Sequence, residues 1–560
     1  MVDAVLIFPP QWIPDHPYLS LPALSSFLLE KGFDVVQEDV NVLFYDYLLS
    51  KGGLEKYYTL IGERLNGGDG TIGKKGKFYY TIGESIIQNV ESAKCNLRKG
   101  KNIINGFTLL RAALEMVSSA CYPTSITFDT FLMEYSPLSV QSIKKAVFDS
   151  KQNIFLNFFE DEVIPNLLRH DPPLFAISVI HNTQLIPALT LASRLKKYEE
   201  ESYVVLGGPF LSAFLDMHWR LKDVFDFADS VIAFDGETAL ASLIECVEKE
   251  KDFLTVPNLI FREGERIKHS STFYRDDMNA LPTPNFDGLP LKLYFSPILV
   301  LPVQTARGCY WARCAFCPNS TGKRSRYRSR DAALVAEDMD NLQSRYNTCY
   351  FELADDAVPP QKLRQLSEEL LSKDMDAKWT AEVRLEKQFT PPLLSRMYEA
   401  GCRILYFGLE SANPRILKLM DKGTDIETAH RILSDSHHAG IWNHVYVFFG
   451  FPTETEKEAE DTIRFVVENK DIINSVGFGY FVLCEGSRVY ENKEQFRIEK
   501  IIRSEEEFSL SHQYIPLEGM DQNQAKQIAR RFHKEVEKIF HSSFIYNFRW
   551  LSPLLEHYLD

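Results

Sequence analysis

The chain has 560 residues, 45% hydrophobic and 25% charged, which is enough apolar material for more than one packed core and argues against a disordered protein. Basic residues number 62 against 77 acidic ones, and the resulting net charge of −15 makes nucleic acid an unfavourable partner. The sequence contains no run of about 18 uncharged apolar residues and begins without a basic signal segment, so we expect a cytoplasmic protein with no membrane partner.

The first 250 residues alternate between apolar runs and helical patterns. A strand at 4–8, a helix near 21–31 and a strand near 34–37 open the chain, and further strands are predicted at 174–179, 203–206 and 230–233. This alternation predicts an α/β fold with a doubly wound parallel sheet in residues 1–250. The aromatic-rich stretch from about 48 to 165 is predicted to be a helical insert in that sheet.

A second α/β series follows a change in composition. Proline and charged residues accumulate at 251–296, which predicts a linker. Six strands with helical patterns between them then predict a partial (β/α)6 barrel over 297–490, and a helical region is expected at 491–560. The predicted barrel strands lie near 299–305, 348–353, 378–382, 403–409, 444–450 and 476–482. Loops at the ends of these strands are expected to form the site.

Three of the nine cysteines crowd into one short segment, RGCYWARCAFC, directly after the first predicted barrel strand. Four residues separate Cys309 from Cys314, and two separate Cys314 from Cys317. Thiolates are suited to iron–sulfur clusters or to zinc. A structural zinc site needs four closed ligands, and no fourth cysteine or histidine stands at a matching distance. The pattern favours a [4Fe–4S] cluster with one open iron over zinc or over ordinary buried cysteines.

The cysteine loop and the motifs downstream of it resemble the radical S-adenosylmethionine (SAM) superfamily. The motifs are FELADD at 351–356, WTAEVR at 379–384, FGLES at 407–411 and FGFPTE at 449–454. The usual superfamily spacing has three residues between the first two cysteines, whereas the GCYW-type loop with four is similar to the cobalamin-dependent branch. The resemblance implies a [4Fe–4S] cluster on the three cysteines and SAM bound at its open iron.

The resemblance also implies contacts to SAM at the ends of successive strands. The methionine amino group is expected near the two aspartates, the ribose or the carboxylate near the two glutamates and the arginine, and the adenine near the glycine. The implied SAM-binding residues are Phe316, Asp355, Asp356, Glu382, Arg384, Glu410, Ser411, Phe449 and Gly450.

The N-terminal sheet resembles the cobalamin-binding domain that precedes the barrel in one branch of this superfamily. The implied cobalamin-binding residues are Pro9, Pro10, Ser178, His181, Gln184, Gly207, Gly208, Pro209, Asp235, Gly236 and Glu237. Domains that supply a histidine below the cobalt carry Asp-x-His-x-x-Gly, and the first loop here has only Asp15-His16. We therefore predict cobalamin without a histidine lower ligand.

The function implied is methyl transfer to an unactivated carbon of a peptide or other natural product. Segments 121–139 and 485–496 are similar to those of cobalamin-dependent enzymes that modify such substrates. The partners expected are a peptide or small-molecule substrate and an external electron donor such as flavodoxin or ferredoxin. Three alternatives remain open: a cyclase, oxidase or rearrangement enzyme without methyl transfer, a non-enzymatic cobalamin or redox sensor, and an RNA methylthiotransferase. No residue is assigned a catalytic role at this point.

Overall fold

The computed structural model describes residues 2–68, 70–249, 251–321 and 326–540. The chain divides into two compact units. The first comprises Met1–Leu299 with Glu506–Phe508, and the second comprises Val300–Glu505 with Ser509–Asp560. The predicted helical region at 491–560 therefore lies partly outside the described residues, because positions 541–560 are not among them.

The first unit is built on a seven-stranded sheet with the strand order β2-β1-β5-β6-β7-β8-β9. Strands β2, β1, β5, β6 and β7 run parallel, and β8 and β9 continue the sheet in antiparallel fashion. All five residues of β1 are buried, as expected for a central strand covered on both faces. The strands of this unit are β1 (Ala4–Phe8), β2 (Val35–Asp39), β3 (Ser125–Ile126), β4 (Phe131–Leu132), β5 (Leu174–Ser178), β6 (Tyr203–Gly207), β7 (Ser230–Ile232), β8 (Leu259–Glu263) and β9 (Arg266–His269).

Helices connect the parallel strands and also fill the long interval between β2 and β5. That interval contains two long helices, α4 and α5, which pack against each other, with the short pair β3 and β4 following them. The helices of this unit are α1 (Ser20–Glu30), α2 (Val40–Leu48), α3 (Lys51–Asn66), α4 (Gly73–Arg98), α5 (Ile103–Ala120), α6 (Val140–Ala146), α7 (Phe155–Phe158), α8 (Ile164–Leu168), α9 (Leu185–Tyr198), α10 (Pro209–Ser212) and α11 (Glu237–Glu248).

Residues 251–296, predicted to be a linker, contain the hairpin of β8 and β9. Its turn is made at Gly264, whose φ of +58° is readily adopted by glycine. The first three residues of β8 are buried, and the strand pairs with β7 of the parallel sheet. The hairpin thus belongs to the first sheet, although its charged residues and the prolines after it are typical of a connecting segment.

The second unit contains six parallel strands paired in sequence order, β10-β13-β14-β15-β16-β17. An α/β fold with parallel sheets is thereby confirmed. Within the described residues, the first and last strands of this series are not paired with each other, so the sheet is open. The strands are β10 (Val300–Val303), β11 (Ala306–Arg307), β12 (Arg328–Ser329), β13 (Tyr350–Leu353), β14 (Lys378–Arg384), β15 (Cys402–Glu410), β16 (Trp442–Phe449), β17 (Ser475–Tyr480), β18 (Leu483–Cys484), β19 (Ile498–Ile502) and β20 (Ser511–Pro516).

The helices of the second unit alternate with these parallel strands. Several begin at polar caps, such as Thr455, whose hydroxyl forms a capping box with Glu458 at the start of α17. The helices are α12 (Ala332–Tyr346), α13 (Pro360–Ser372), α14 (Pro391–Glu399), α15 (Pro414–Leu419), α16 (Ile426–His438), α17 (Glu456–Glu468), α18 (Arg488–Glu491) and α19 (Gln522–Phe540).

A small antiparallel sheet, β18-β20-β19, follows the six parallel strands, and its strands β19 and β20 lie in the region for which helix alone was predicted. Strand β20 alternates regularly, but His512 and Tyr514 are the buried residues and Ile515 is exposed. Because a polar ring faces inward and an aliphatic side chain faces outward, the hydropathy pattern conceals the strand. Helix α19 follows as predicted and packs on β16, β17 and α17.

No helix in the described part of the chain is long and apolar enough to cross a lipid bilayer.

Candidate functional site

The three cysteines lie in one loop after β10, and backbone hydrogen bonds fix that loop on both sides. The N–H of Ala315 donates to the carbonyl of Met420 over 2.8 Å, and the N–H of Val489 donates to the carbonyl of Ala315 over 3.0 Å. Between the cysteines, the N–H of Cys317 donates to the carbonyl of Cys314 over 3.0 Å. The segment that carries Cys314 and Cys317 is therefore held in shape by the protein itself.

Ala315 also anchors the loop in an apolar cluster. This cluster, defined as the C-terminal core, joins the loop to α15, the end of β16 and the small sheet. Its fully or largely buried members are Ala315, Ile416, Met420, Phe451, Phe481, Leu483, Val489, Phe496, Ile498 and Tyr514. Burial of apolar surface thus helps to position the cysteines.

The thiols of this loop influence one another. Burial raises the pKa of Cys317 to about 12, and the charges of Cys314 and Cys309 add to that effect. Burial also raises the pKa of Cys314, which Lys422 and Arg384 oppose. As metal ligands these groups must be thiolates, so the site favours a cationic centre that offsets this cost.

The chemistry of the donor set fits an iron–sulfur cluster. Cys309, Cys314 and Cys317 supply three sulfur ligands, and a [4Fe–4S] cluster takes each thiolate on a different iron. Three mutually interacting thiols on one loop are consistent with the cluster.

Two buried cations lie beside Cys314. Lys422 Nζ is 2.7 Å from Glu410 Oε1, and its distance from the centre of the Phe316 ring is 5.9 Å. Arg384 donates to Cys314 Sγ over 3.7 Å and to Glu386 Oε1 over 3.1 Å. The predicted residues Phe316, Arg384 and Glu410 are thus brought together next to the loop. Lys422 was not predicted, since a lysine in a Lys-Gly turn is ordinarily a surface residue.

Glu382 lies at the same strand end as Arg384, separated by one residue. Side chains two apart on a strand share a face of the sheet, so both point to one side of β14. Tyr446 donates its phenolic proton to Glu382 Oε1 over 3.1 Å. Tyr446 in turn contacts His444 and Tyr406, with ring centroids 4.7 and 6.3 Å away. This polar and aromatic face was not anticipated beyond Glu382.

The two predicted aspartates differ in their surroundings. Asp355 is buried, and its carboxylate accepts the backbone N–H groups of Thr305, at 3.1 Å, and Ala306. Burial raises the pKa of Asp355 to about 7, although these two donors lower it. Asp355 thereby fastens the segment that leads into the cysteine loop. Asp356 is exposed, and Asn319 is 3.4 Å from its Oδ2.

Three predicted SAM-binding residues are engaged elsewhere. Ser411 is fully buried, with its hydroxyl 3.3 Å from that of Thr462 in α17. Phe449 packs on Phe532 of α19, and Gly450, at φ +83°, would clash with Ala525 if it had a Cβ. Since residues alternate between faces along a strand, Phe448 is the residue whose ring contacts Phe316, with centroids 5.0 Å apart. The geometry favours Phe448 over Phe449 as a wall of the site.

In the first unit, the predicted cobalamin-binding residues follow four adjacent parallel strands at one edge of the sheet. Pro9 and Pro10 follow β1, Ser178 to Gln184 end and follow β5, Gly207 to Pro209 end and follow β6, and Asp235 to Glu237 follow β7. Ligands of open parallel sheets bind at this edge. The predicted residues are therefore brought together, as one row of loops.

Two features of this edge suit a large flat ligand: glycines that leave the backbone accessible, and one buried polar atom without a hydrogen-bond partner among the described residues. A Cβ on Gly207 would approach no nearer than 3.7 Å to any other group, so the backbone is bare there. A Cβ on Gly208, at φ +105°, would lie 2.3 Å from the carbonyl of Val179. Asn182 Oδ1 is buried and has no hydrogen-bond partner in the part of the chain that the structure describes. Asn182 is therefore added to the edge as a polar group that a ligand can satisfy.

Other polar groups of this edge are internally paired. Gln184 is fully buried and donates to the carbonyl of Pro9 over 2.9 Å, and Asp235 Oδ2 accepts the N–H of Asp276 over 2.9 Å. Ser178 donates to Ser20 over 3.0 Å. His181 Nδ1 is 2.9 Å from the hydroxyl of Thr183. These contacts shape the loops.

Comparison with known proteins identifies the class of the second unit. Residues 303–466 match the Radical SAM superfamily. The presence of this domain implies a [4Fe–4S] cluster and SAM. The matched residues begin in β10 and end in α17, and so include the cysteine loop and the ends of β13, β14, β15 and β16.

Three individual proteins extend this comparison. An uncharacterised methyltransferase of Pyrococcus horikoshii is 28% identical over 329 residues, which are 58% of this chain and 70% of that protein. The anaerobic magnesium-protoporphyrin IX monomethyl ester cyclase of Rubrivivax gelatinosus is 23% identical, over 57% of this chain and 60% of its own length. The match therefore spans less than two thirds of the cyclase. The solved structure of the radical SAM methyltransferase TsrM from Kitasatospora setae, with cobalamin and a [4Fe–4S] cluster bound, covers 95% of this chain and 85% of TsrM at 16% identity, with a TM-score of 0.53.

These findings confirm the family resemblance drawn from the sequence. The second unit carries a radical SAM domain, and the chain shares its fold with cobalamin-dependent radical SAM enzymes. Among its relatives are proteins named as a methyltransferase and as a cyclase.

Proposed function

We propose that this protein is a cobalamin-dependent radical SAM methyltransferase that acts on an unactivated carbon of a peptide or other natural product. The observation that carries the proposal is the cysteine loop at the end of β10, in a chain whose fold matches TsrM over 95% of its length. The named methyltransferase from Pyrococcus supports transfer of a methyl group.

In this proposal, Cys309, Cys314 and Cys317 hold a [4Fe–4S] cluster, and the loop edge of the first sheet holds cobalamin. When bound, the cluster and SAM supply a carbon radical and cobalamin supplies a methyl group. The protein supplies position and charge: Phe316 and Phe448 form an apolar wall, and Glu382 and Glu410 are acceptors for hydroxyl groups.

The remaining features of the proposal concern the surroundings of the enzyme. An external donor such as flavodoxin or ferredoxin delivers the electron, and nucleic acid is not a substrate, in keeping with the net charge of −15. Free thiols persist in the reducing cytoplasm, which suits a protein whose nine cysteines are all unpaired. Cobalamin is held without a histidine below the cobalt.

Anaerobic reconstitution tests the proposal. The wild type should bind about four irons per chain, show a cobalamin spectrum, and form 5′-deoxyadenosine after reduction with SAM present. The variant C309A/C314A/C317A should lose the irons and the product together. Cys95→Ala is the matched control, because Cys95 is an exposed cysteine of α4 in the first unit. A triple variant that still cleaves SAM would overturn the proposal.

A second candidate function is cyclisation or oxidation without methyl transfer, which the relative named as a cyclase favours. The two functions differ in their products. Methyl transfer yields S-adenosylhomocysteine together with 5′-deoxyadenosine, whereas cyclisation yields 5′-deoxyadenosine alone. Quantifying both nucleosides during turnover with a library of peptides decides between them.

A further inference from the structure

Arg384 is held by contacts on every side of its guanidinium group. It is 4% exposed, and its charged carbon lies 3.9 Å from the centre of the Trp311 ring. Its Nε donates to Glu386 Oε1 over 3.1 Å, one Nη donates to the carbonyl of Lys422, and the other donates to Cys314 Sγ over 3.7 Å. The side chain therefore has one orientation, in which an N–H points at a cysteine sulfur.

The stacking partner of Arg384 comes from the cysteine loop itself. Trp311 lies between Cys309 and Cys314, and its Nε1–H donates to the carbonyl of Asp421 over 2.9 Å. Ala312 then adopts a φ of +45°, which turns the chain back towards Cys314. Tyr310 donates to Glu386 Oε1 over 2.5 Å, so the same loop also holds the carboxylate that binds Arg384.

The stacked side chains of Trp311 and Arg384 leave no space for a side chain at position 423. Gly423 has a φ of +75°, and a Cβ there would lie 2.4 Å from Trp311 Cζ2 and 3.2 Å from an Nη of Arg384. Trp311 and Arg384 thus pack directly against a glycine backbone. The face of a tryptophan ring attracts the positive charge of an arginine, so the stack favours the rotamer of Arg384 that lies on Trp311.

We propose that Trp311 is a positioning residue that holds Arg384 against Cys314 and thereby raises the reduction potential of the cluster. The proposal rests on the proposed function, because it requires a cluster on the three cysteines. It gives the four-residue spacing between Cys309 and Cys314 a physical role: the loop has room for a tryptophan that stacks and for a tyrosine that orients Glu386.

The physical basis is electrostatic. Reduction adds negative charge to the cluster and its sulfur ligands, and a nearby cation or an N–H donated to a sulfur stabilises that added charge. Arg384 provides both at Cys314, and the low exposure of its side chain limits screening by water. Removing Arg384, or releasing it by removing Trp311, should make the cluster harder to reduce.

The test is an EPR-monitored redox titration of the reconstituted full chain without SAM. Trp311→Leu and Arg384→Gln should each lower the midpoint potential, so that the ratio of reduced to oxidised cluster at the wild-type midpoint falls about tenfold, which is 59 mV for a one-electron couple. The double variant W311L/R384Q should match Arg384→Gln alone, because Trp311 acts through Arg384.

The control is Tyr398→Leu, which removes the ring that stacks on Arg403, an arginine with no described contact to the cysteine loop. Its midpoint should equal that of the wild type. If Trp311→Leu binds fewer than about four irons, Gly423→Ala serves instead, since its Cβ displaces the Trp311 ring. An unchanged potential in the Trp311 or Gly423 variant, or additive shifts in the double variant, overturns the inference while the proposed function stands. A wild type that binds no iron overturns both.

Discussion

Lys422 Nζ and Glu410 Oε1 form an ion pair of 2.7 Å in which neither side chain is more than 13% exposed. Burial opposes the charge of Lys422, but Glu410 and the Cys314 thiolate more than offset it, so the pKa of Lys422 is raised above its ordinary value. Lys422 therefore stays charged, and removing Glu410 leaves its ammonium group buried without its carboxylate partner, close to Arg384 and Cys314.

Glu410→Gln should destabilise the second unit strongly. Removing one partner of a buried ion pair leaves an uncompensated charge and costs about 3–5 kcal/mol of unfolding free energy. The variant E410Q/K422M should lose less stability than Glu410→Gln alone, because it buries no unpaired charge. Urea unfolding of the apo-protein measures both.

Glu399→Gln is the control for the urea unfolding of Glu410→Gln. Glu399 pairs with Arg396, and both side chains are about half exposed. A pair of this kind contributes about 0–1 kcal/mol. Equal losses of unfolding free energy in Glu399→Gln and Glu410→Gln would show that the buried pair stabilises the protein no more than the exposed pair does.

Glu454 should make stability depend on pH in the neutral range. It is fully buried, its Oε2 accepts the N–H of Gly450 over 2.5 Å, and its Oε1 has no hydrogen-bond partner among the described residues. Burial raises the pKa of Glu454 to about 8. A group whose pKa is raised on folding stabilises the fold below its unfolded pKa, and that stabilisation is lost as the pH rises through the folded value.

Glu454→Gln should remove this dependence. The variant should match the wild type near pH 5 and exceed it above pH 8 by at least about 1.4 kcal/mol, the free energy of one pKa unit. Unfolding free energies at the two pH values decide the matter. Parallel pH profiles for wild type and variant would mean that Glu454 does not titrate in this range.

Two substitutions at the loop edge of the first sheet should differ in their effect on cobalamin binding. Replacing His181 should leave binding intact, whereas adding a side chain at Gly207 should weaken it. His181→Ala should leave the cobalamin content unchanged, and EPR of the Co(II) form should show no nitrogen coupling in either protein. Gly207→Ala should lower the cobalamin content without lowering the melting temperature, because its Cβ would approach other groups of the folded protein no nearer than 3.7 Å. Loss of cobalamin in His181→Ala alone would reverse the prediction about the lower ligand.

Ser411 and Glu382 should differ in their effects on SAM binding. Ser411→Ala breaks buried hydroxyl contacts with Thr462 and Asn413, so it should cost about 1 kcal/mol of stability and leave the affinity for SAM unchanged. Glu382→Ala should weaken SAM binding with little loss of stability. Equilibrium dialysis with labelled SAM on the cluster-loaded protein distinguishes the two variants. Weaker SAM binding by Ser411→Ala would mean that Ser411 belongs to the SAM site after all.

Much of the architecture is accessible from the sequence because buried parallel strands are continuous apolar runs. Leu174–Ser178 and Tyr203–Gly207 are of this kind, and their predicted limits differ from the observed ones by one residue. Strand β20 was not predicted, because the buried positions hold His512 and Tyr514 while Ile515 faces out.

The sequence singles out the three cysteines, but it does not reveal the side chains that pack around them. Spacing predicts Cys309, Cys314 and Cys317 as ligands, because the ligands that a single loop supplies to one cluster must be close in the chain. The partners of Arg384 could not be read in the same way, since Trp311 and Lys422 reach it from different turns of the chain. Which of Phe448 and Phe449 faces the site depends on the register of one strand, and the sequence contains phenylalanine at both positions.

The C-terminal core around Ala315 bears on where the radical SAM domain ends in the chain. The region that matches the superfamily stops at residue 466, yet Phe481, Leu483, Val489, Phe496, Ile498 and Tyr514 belong to the same apolar cluster as the cysteine loop. A fragment cut at that boundary would keep Ile416 and Met420 but lose most of the apolar cluster to which Ala315 belongs. The packed unit around the cysteine loop therefore extends through β20, so a fragment designed to keep that loop in shape should include the small antiparallel sheet along with the six parallel strands.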